Sequence, residues 1–270
     1  MAQIKTTYDA GVGAGGFALD SLADPANAFR HFDDFNLNLV PHVLPDAASG
    51  DDTQTLDAYT IVQLSSNSTY PAASTAGGYA GGTMRFTTHT GADDGMIMYP
   101  TGMKIEAPNS KDCSFEVRFA MQDVANQNFF IGFSEAVATG DIISAGAVVA
   151  AADGRDRIGW FIDDATTAGK AQVFCSNGTA GLGGTVTGES VSEYGAGSAN
   201  TAIADGDMHR FGVTVTGSTV RFFLDGELKQ TVENASLVPS AQLIPCLHLT
   251  TANGAAEIFD VDYIDAQGKR

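Results

Sequence analysis

The chain has 270 residues, 44% of them hydrophobic, with a formal net charge of −18 and a pI near 4.3. That length suits one large β domain or two small ones, and a composition close to the globular average argues against default disorder. The acidity weighs against direct nucleic-acid or anionic-membrane partners, which carry the same sign of charge.

Residues 1–30 differ from the rest. Asp9 to Phe17 is rich in Gly and Ala with little periodicity, and Ala18 to Arg30 has capping residues for at most a short helical turn. The segment reads as an N-terminal arm, either a flexible tail or a piece that orders against a neighbouring subunit with Phe17 and Phe29 as anchors. Residues 31–270 read as one domain, because from Phe32 onward short runs alternate apolar and polar residues between Gly, Asn, Asp and Ser. Phe115, Val117 and Phe119 fall on one strand face, with Glu116 and Arg118 on the other; Phe129, Ile131 and Phe133, then Ile158, Trp160 and Ile162, repeat the pattern. Phe211, Val213 and Val215 lead into a Gly217-Ser218 turn, Val220, Phe222 and Leu224 into an Asp225-Gly226 turn, and Leu228 and Val232 follow. Such turns predict a three-stranded meander. The last strand, Glu257 to Ile264, should place Phe259, Val261 and Tyr263 on one face and Asp260 and Asp262 opposite. Helical periodicity is nowhere sustained. The Gly-rich stretches Gly77–Gly82 and Ala180–Gly197 read as surface loops, since neither has the strand-to-helix context of a phosphate-cradling loop. The expected fold class is all-β, an antiparallel jelly-roll sandwich with an irregular N-terminal arm.

Cys113, Cys175 and Cys246 sit in apolar, strand-like surroundings, and an odd, sparse set points to buried reduced thiols rather than a disulfide framework. The start, Met-Ala-Gln-Ile-Lys, lacks the apolar core of a signal peptide, and no run of about 18 apolar residues could span a membrane. Folding in a cytoplasm is the expectation.

The run Asp205-Gly206-Asp207-Met208-His209-Arg210-Phe211, closing on Phe223-Leu224-Asp225-Gly226, resembles the laminin G-like and concanavalin A-like sandwich pattern. There a DG-x-W-H segment opens a strand and a later hairpin ends in a Y-x-DG turn. Met208 and Phe223 replace the usual Trp and Tyr but keep large apolar groups. The resemblance makes Asp205, Gly206, His209, Phe211, Asp225 and Gly226 fold-motif residues, and Phe32-Asp33-Asp34-Phe35-Asn36 the entry strand. A narrower similarity over about 113–264, carried by Phe129 to Glu135, Asp156 to Asp164, the meander and Leu243 to Leu247, is to proteins that tailed bacteriophages encode beside their capsid genes. It implies a non-enzymatic virion structural protein, a capsid decoration or cement protein on the outer capsid surface, assembled in the host cytoplasm. Its partners would be the major capsid protein and copies of itself, as a homo-oligomer with a trimer favoured.

Glucanases of this fold hydrolyse with an E-x-D-x-x-E set of acids on one strand, the reacting pair about 5 Å apart. Here Glu257 and Asp260 should point to opposite strand faces, and Asp260 and Asp262, which share one, read as solvated edge or outer-face charges. Glu116 should face with Arg118 as an ordinary ion pair. No nucleophile elbow, P-loop or HExxH occurs, so no catalytic residue is assigned and a glucanase-like hydrolase is the remotest reading. His31, His42, His89, His209 and His248 are scattered; His209 reads as a hydrogen-bonded strand-end residue, and His248, alternating with Cys246, as packed or interfacial rather than ligating. No cofactor is expected. Structural calcium is the one metal to weigh, with Asp163 and Asp164, after the Trp160 strand, ahead of Asp51-Asp52 and Asp93-Asp94, and solvated turn charges as the competing account. Trp160, between Ile158 and Ile162, reads as core. Tyr70, Tyr79, Tyr99 and Tyr194 in loop or strand-edge settings leave open a glycan-binding, lectin-like domain of a tail fibre or surface protein.

Overall fold

A computed structural model describes residues 28–33, 53–56, 59–64, 74–75, 83–88, 90–91, 94–106, 112–137, 143–144, 147–148, 155–162, 170–177, 201–233, 237–252 and 255–269. In chain order its strands are β1 (Ala28–Asp33), β2 (Thr53–Leu56), β3 (Tyr59–Leu64), β4 (Ser74–Thr75), β5 (Met84–Thr87), β6 (Gly95–Pro100), β7 (Cys113–Met121), β8 (Gln127–Ser134), β9 (Ile143–Ser144) and β10 (Ala147–Val148). They continue with β11 (Asp156–Ile162), β12 (Lys170–Asn177), β13 (Thr201–Ala202), β14 (His209–Thr216), β15 (Thr219–Leu224), β16 (Glu227–Val232), β17 (Ile244–Thr251) and β18 (Ile258–Lys269). The sole helical element among the described residues is a 3-10 turn at Val124–Asn126.

Two antiparallel sheets form a sandwich. The first runs β16-β15-β14-β7-β18-β5-β4, with β1 also on β18; the second runs β13-β12-β11-β8-β17-β6-β3-β2. β18 is the spine of the first sheet: β7 pairs along one side, and β5 and then β1 along the other. Ala28 to Arg30, at the end of the expected arm, thus lie in a strand opposite Lys269 to Gln267.

The alternation read from sequence sets what lies between the sheets. Phe115, Val117 and Phe119 from β7 and Phe211, Val213 and Val215 from β14 meet Phe129, Ile131 and Phe133 from β8 and Ile158, Trp160 and Ile162 from β11. The rings interlock edge to face: Phe129 and Phe211 have centroids 4.9 Å apart, and Trp160 abuts Phe211 and Phe222 at 5.9 Å. Trp160, fully buried, donates from Nε1 to the Gly212 carbonyl across the sandwich at 2.9 Å, so its one polar atom is satisfied. The meander forms as the turn residues dictate. Gly217 takes φ 59°, and Asp225 and Gly226 take 55° and 81°, the left-handed values that two-residue hairpin turns need.

Two registers differ from the expectation. In the meander, a shift between Phe222 and Phe223 pairs Phe222 with Gln230 and Phe223 with Leu228, which is left exposed. A bulge between Val261 and Tyr263 takes Tyr263 out of the core row and puts Ile264 into it, opposite Val117. Ile264 buries better than a phenol, and the Tyr263 hydroxyl finds an acceptor outside, in the Glu116 carboxylate.

Candidate functional site

The outer face of the first sheet carries the acids of β18, and each has a cation. Asp260, opposite Arg85 in register, accepts from Arg85 Nε and Nη2 at 2.7 and 2.9 Å and from Gln122 Nε2 at 2.8 Å. Asp262 accepts from Arg118 at 2.5 Å, and Asp265 from Arg30 at 3.0 and 2.7 Å. Asp260 is therefore an outer-face charge, but a buried and paired one rather than a solvated one. Arg118 turns to Asp262 instead of Glu116, whose carboxyl is pushed up by burial. Glu257 lies at one end of the sandwich: its backbone N–H donates to Thr88 Oγ1 at 2.9 Å, and its carboxylate accepts a long 3.4 Å contact from Gln127 Nε2. Burial and then the Asp123 carboxylate push it up to about 7. Glu257 and Asp260 thus answer to different partners.

The motif residues gather at that same end. Asp205 Oδ1 accepts from the Val124 N–H at 2.8 Å, and Gly206, at φ 73°, donates from its N–H to the Met121 carbonyl at 2.7 Å. Asp225 accepts from His209 Nδ1 and from the Arg210 N–H, each at 2.8 Å. Phe211 is core. These contacts stitch strands together. Phe29 is in β1, opposite Gly268, whereas Phe17, Asp163 and Asp164 lie outside the described residues, as do His42, His89, Tyr70, Tyr79 and Tyr194. Among the described residues no group of three or more His, Cys, Asp or Glu could hold a metal ion. The three cysteines are buried thiols outside any disulfide, and burial pushes each up, Cys246 to about 12.

The second sheet is different, because its outer face is buried as well and carries a second apolar cluster. Val62, Leu64, Ile97, Phe130, Val137, Phe161, Phe174 and Cys246 form a separate cluster there, edged by the partly buried Tyr99 and Ile244. Register places Val62, Ile97, His248, Phe130 and Phe161 in one row across five strands. His248 is 0% exposed, and neither ring nitrogen has a hydrogen-bond partner; the Thr250 hydroxyl, two residues on and on the same face, has none either. Burial, followed by the charge of Arg157, pushes the imidazole down to about 3, so it is neutral at any ordinary pH. Arg157, also buried, donates from Nε to Ser134 Oγ at 3.3 Å. Sequence reasoning paired His248 with Cys246 but missed this face. The available signal was the lack of alternation in Asn128-Phe129-Phe130-Ile131 and Trp160-Phe161-Ile162, the mark of strands covered on both sides.

No protein-family model matches the chain, and no curated protein matches it. Solved structures do. The carbohydrate recognition domain of Emp47p is similar over 90% of this chain and 97% of its own, with 12% identity and a TM-score of 0.52. An endo-1,3-beta-glucanase from Streptomyces sioyaensis aligns over 90% and 97% with 14% identity and a TM-score of 0.48. The exoplasmic/lumenal domain of VIP36 in its Ca2+-bound form aligns over 83% and 88% with 9% identity and a TM-score of 0.45. At such identities the likeness speaks for the fold, and the chain is an all-β sandwich of the concanavalin A-like type.

Proposed function

We propose that the chain is a non-catalytic, lectin-like carbohydrate-binding domain whose ligand face is the outer side of β17, β8 and β11. The observation that carries this reading is the combination of aromatic rings with unsatisfied polar groups on that face: Phe130 and Phe161 beside His248 and Thr250. Sugar sites need that mixture, an apolar ring face to stack on and a few placed donors and acceptors. Support comes from the Emp47p domain, which is a carbohydrate recognition domain of the same fold. The non-catalytic part rests on the β18 acids, which arginines neutralise instead of leaving one poised beside another. The test is a broad glycan array followed by calorimetry on the hits: we expect binding without release of reducing sugar. Silence across the array overturns the reading, and turnover of a β-glucan overturns its non-catalytic part.

The capsid-decoration reading stands on the resemblance of residues 113–264 and on the acidic composition alone. Mass spectrometry of purified particles would decide it.

A further inference from the structure

We infer that the ligand is an uncharged sugar ring whose neighbouring hydroxyls bridge His248 and Thr250, with Phe130 as the stacking surface; this deepens the carbohydrate reading and depends on it. Three polar atoms, Nδ1 and Nε2 of His248 and Oγ1 of Thr250, are buried on one face of β17 with no partner. Each such atom costs the fold its desolvation, and unsatisfied groups in a native core call for a reason. A neutral imidazole presents one donor and one acceptor, and a threonine hydroxyl presents both. Adjacent sugar hydroxyls also donate and accept, so two of them satisfy all three atoms. A carboxylate or sulfate only accepts; it would leave the imidazole acceptor empty and bring an anion into a buried face of a chain with net charge −18. Arg157, a cation on this face, is already engaged by Ser134 and by further interactions. Phe130, opposite His248 in register, lays its ring against Gly159, where a Cβ would come within 2.7 Å of ring atoms. Its position is therefore fixed. Since His248 is 0% exposed, binding needs a local opening of the face and should associate more slowly than free encounter.

The experiment titrates neutral oligosaccharides against uronate and sulfated ones by calorimetry at pH 5 and pH 8, with thermal melts of ligand-free variants. We expect neutral sugars to bind with the same affinity at both pH values, and His248→Leu and Thr250→Val to weaken them at least tenfold while melting no lower than the parent. His248→Gln, which keeps a donor and an acceptor, should retain part of the binding. A preference for acidic sugars overturns this inference and leaves the carbohydrate reading intact. Undiminished binding by both variants overturns the assignment of the site and hands the three polar atoms to a buried water. If no sugar binds at all, the underlying reading fails, and this inference with it.

Discussion

Burial and the Asp123 carboxylate hold the Glu257 carboxyl at about 7, against an ordinary value of 4.5. The folded chain therefore keeps this proton over a range where the unfolded chain has lost it. The stability it contributes is full below about pH 4.5 and is lost as pH rises through about 7. Glu116 and Asp156, also raised by burial, act in the same direction. His31 and His248, lowered by burial, act oppositely below their ordinary value of 6.5, so the parent's melting curve mixes both signs. The informative quantity is a difference. Glu257→Gln should gain in melting temperature relative to the parent as pH goes from 5 to 8; a constant offset across that range would show that Glu257 titrates normally. None of this was legible in the sequence, where Glu257 stood out only as a failed catalytic acid. The spacing to Asp260 was visible, but the approach of Asp123 from the β7–β8 connection was not.

At the scale of the element, β18 shows where a period-two reading runs out. The alternation of Phe259 and Val261 located the strand and its buried side, and both are core. It could not locate the bulge, because Asp262-Tyr263-Ile264 permits either register, and the choice turns on contacts with β7: Ile264 against Val117 and the Tyr263 hydroxyl on Glu116. The hairpin turns, by contrast, were legible, since Gly217, Asp225 and Gly226 encode their positive φ locally, but the register shift between Phe222 and Phe223 that leaves Leu228 exposed was not. The arginine partners of β18 come from three other strands, so no local pattern announces them. Removing one partner of a buried pair costs more than the pair contributes, because a charge is left behind. Asp260→Ala strips an acceptor from both Arg85 and Gln122, while Arg85, with a side chain 28% exposed, can partly rehydrate. We expect a loss of about 2–4 kcal/mol in urea unfolding, with sugar binding unchanged, because this face lies on the far side of the sandwich from His248. Loss of binding without loss of stability would instead mark Asp260 as a site residue.

For the whole molecule, the decisive asymmetry lies between the two outer faces. The first sheet keeps its core rows inside, and its outer rows carry ion pairs, hydroxyls such as Thr214 and scattered apolar groups such as Phe223 and Leu228. The second sheet is buried on both sides, with a separate apolar cluster on each. Alternation finds one-sided strands and misreads two-sided ones, which is why Phe129 was assigned to the core and Phe130 passed unremarked. The consequence for energetics is direct. Phe129 and Phe130 are neighbours on β8, both 0% exposed, and they point into different clusters. If the outer cluster is packed as an interior, Phe130→Ala costs about 3–5 kcal/mol, as Phe129→Ala does, through lost transfer energy and the cavity left behind. Thr214→Ala, on the outer face of the first sheet, costs about 0.5 kcal/mol or less. Urea unfolding of the three variants measures all of this on one scale. A Phe130→Ala cost close to that of Thr214→Ala would mean that the face is only loosely covered, a surface held ready for a ligand instead of a second core; equal costs for the two phenylalanines would mean that any ligand must break packing to reach His248.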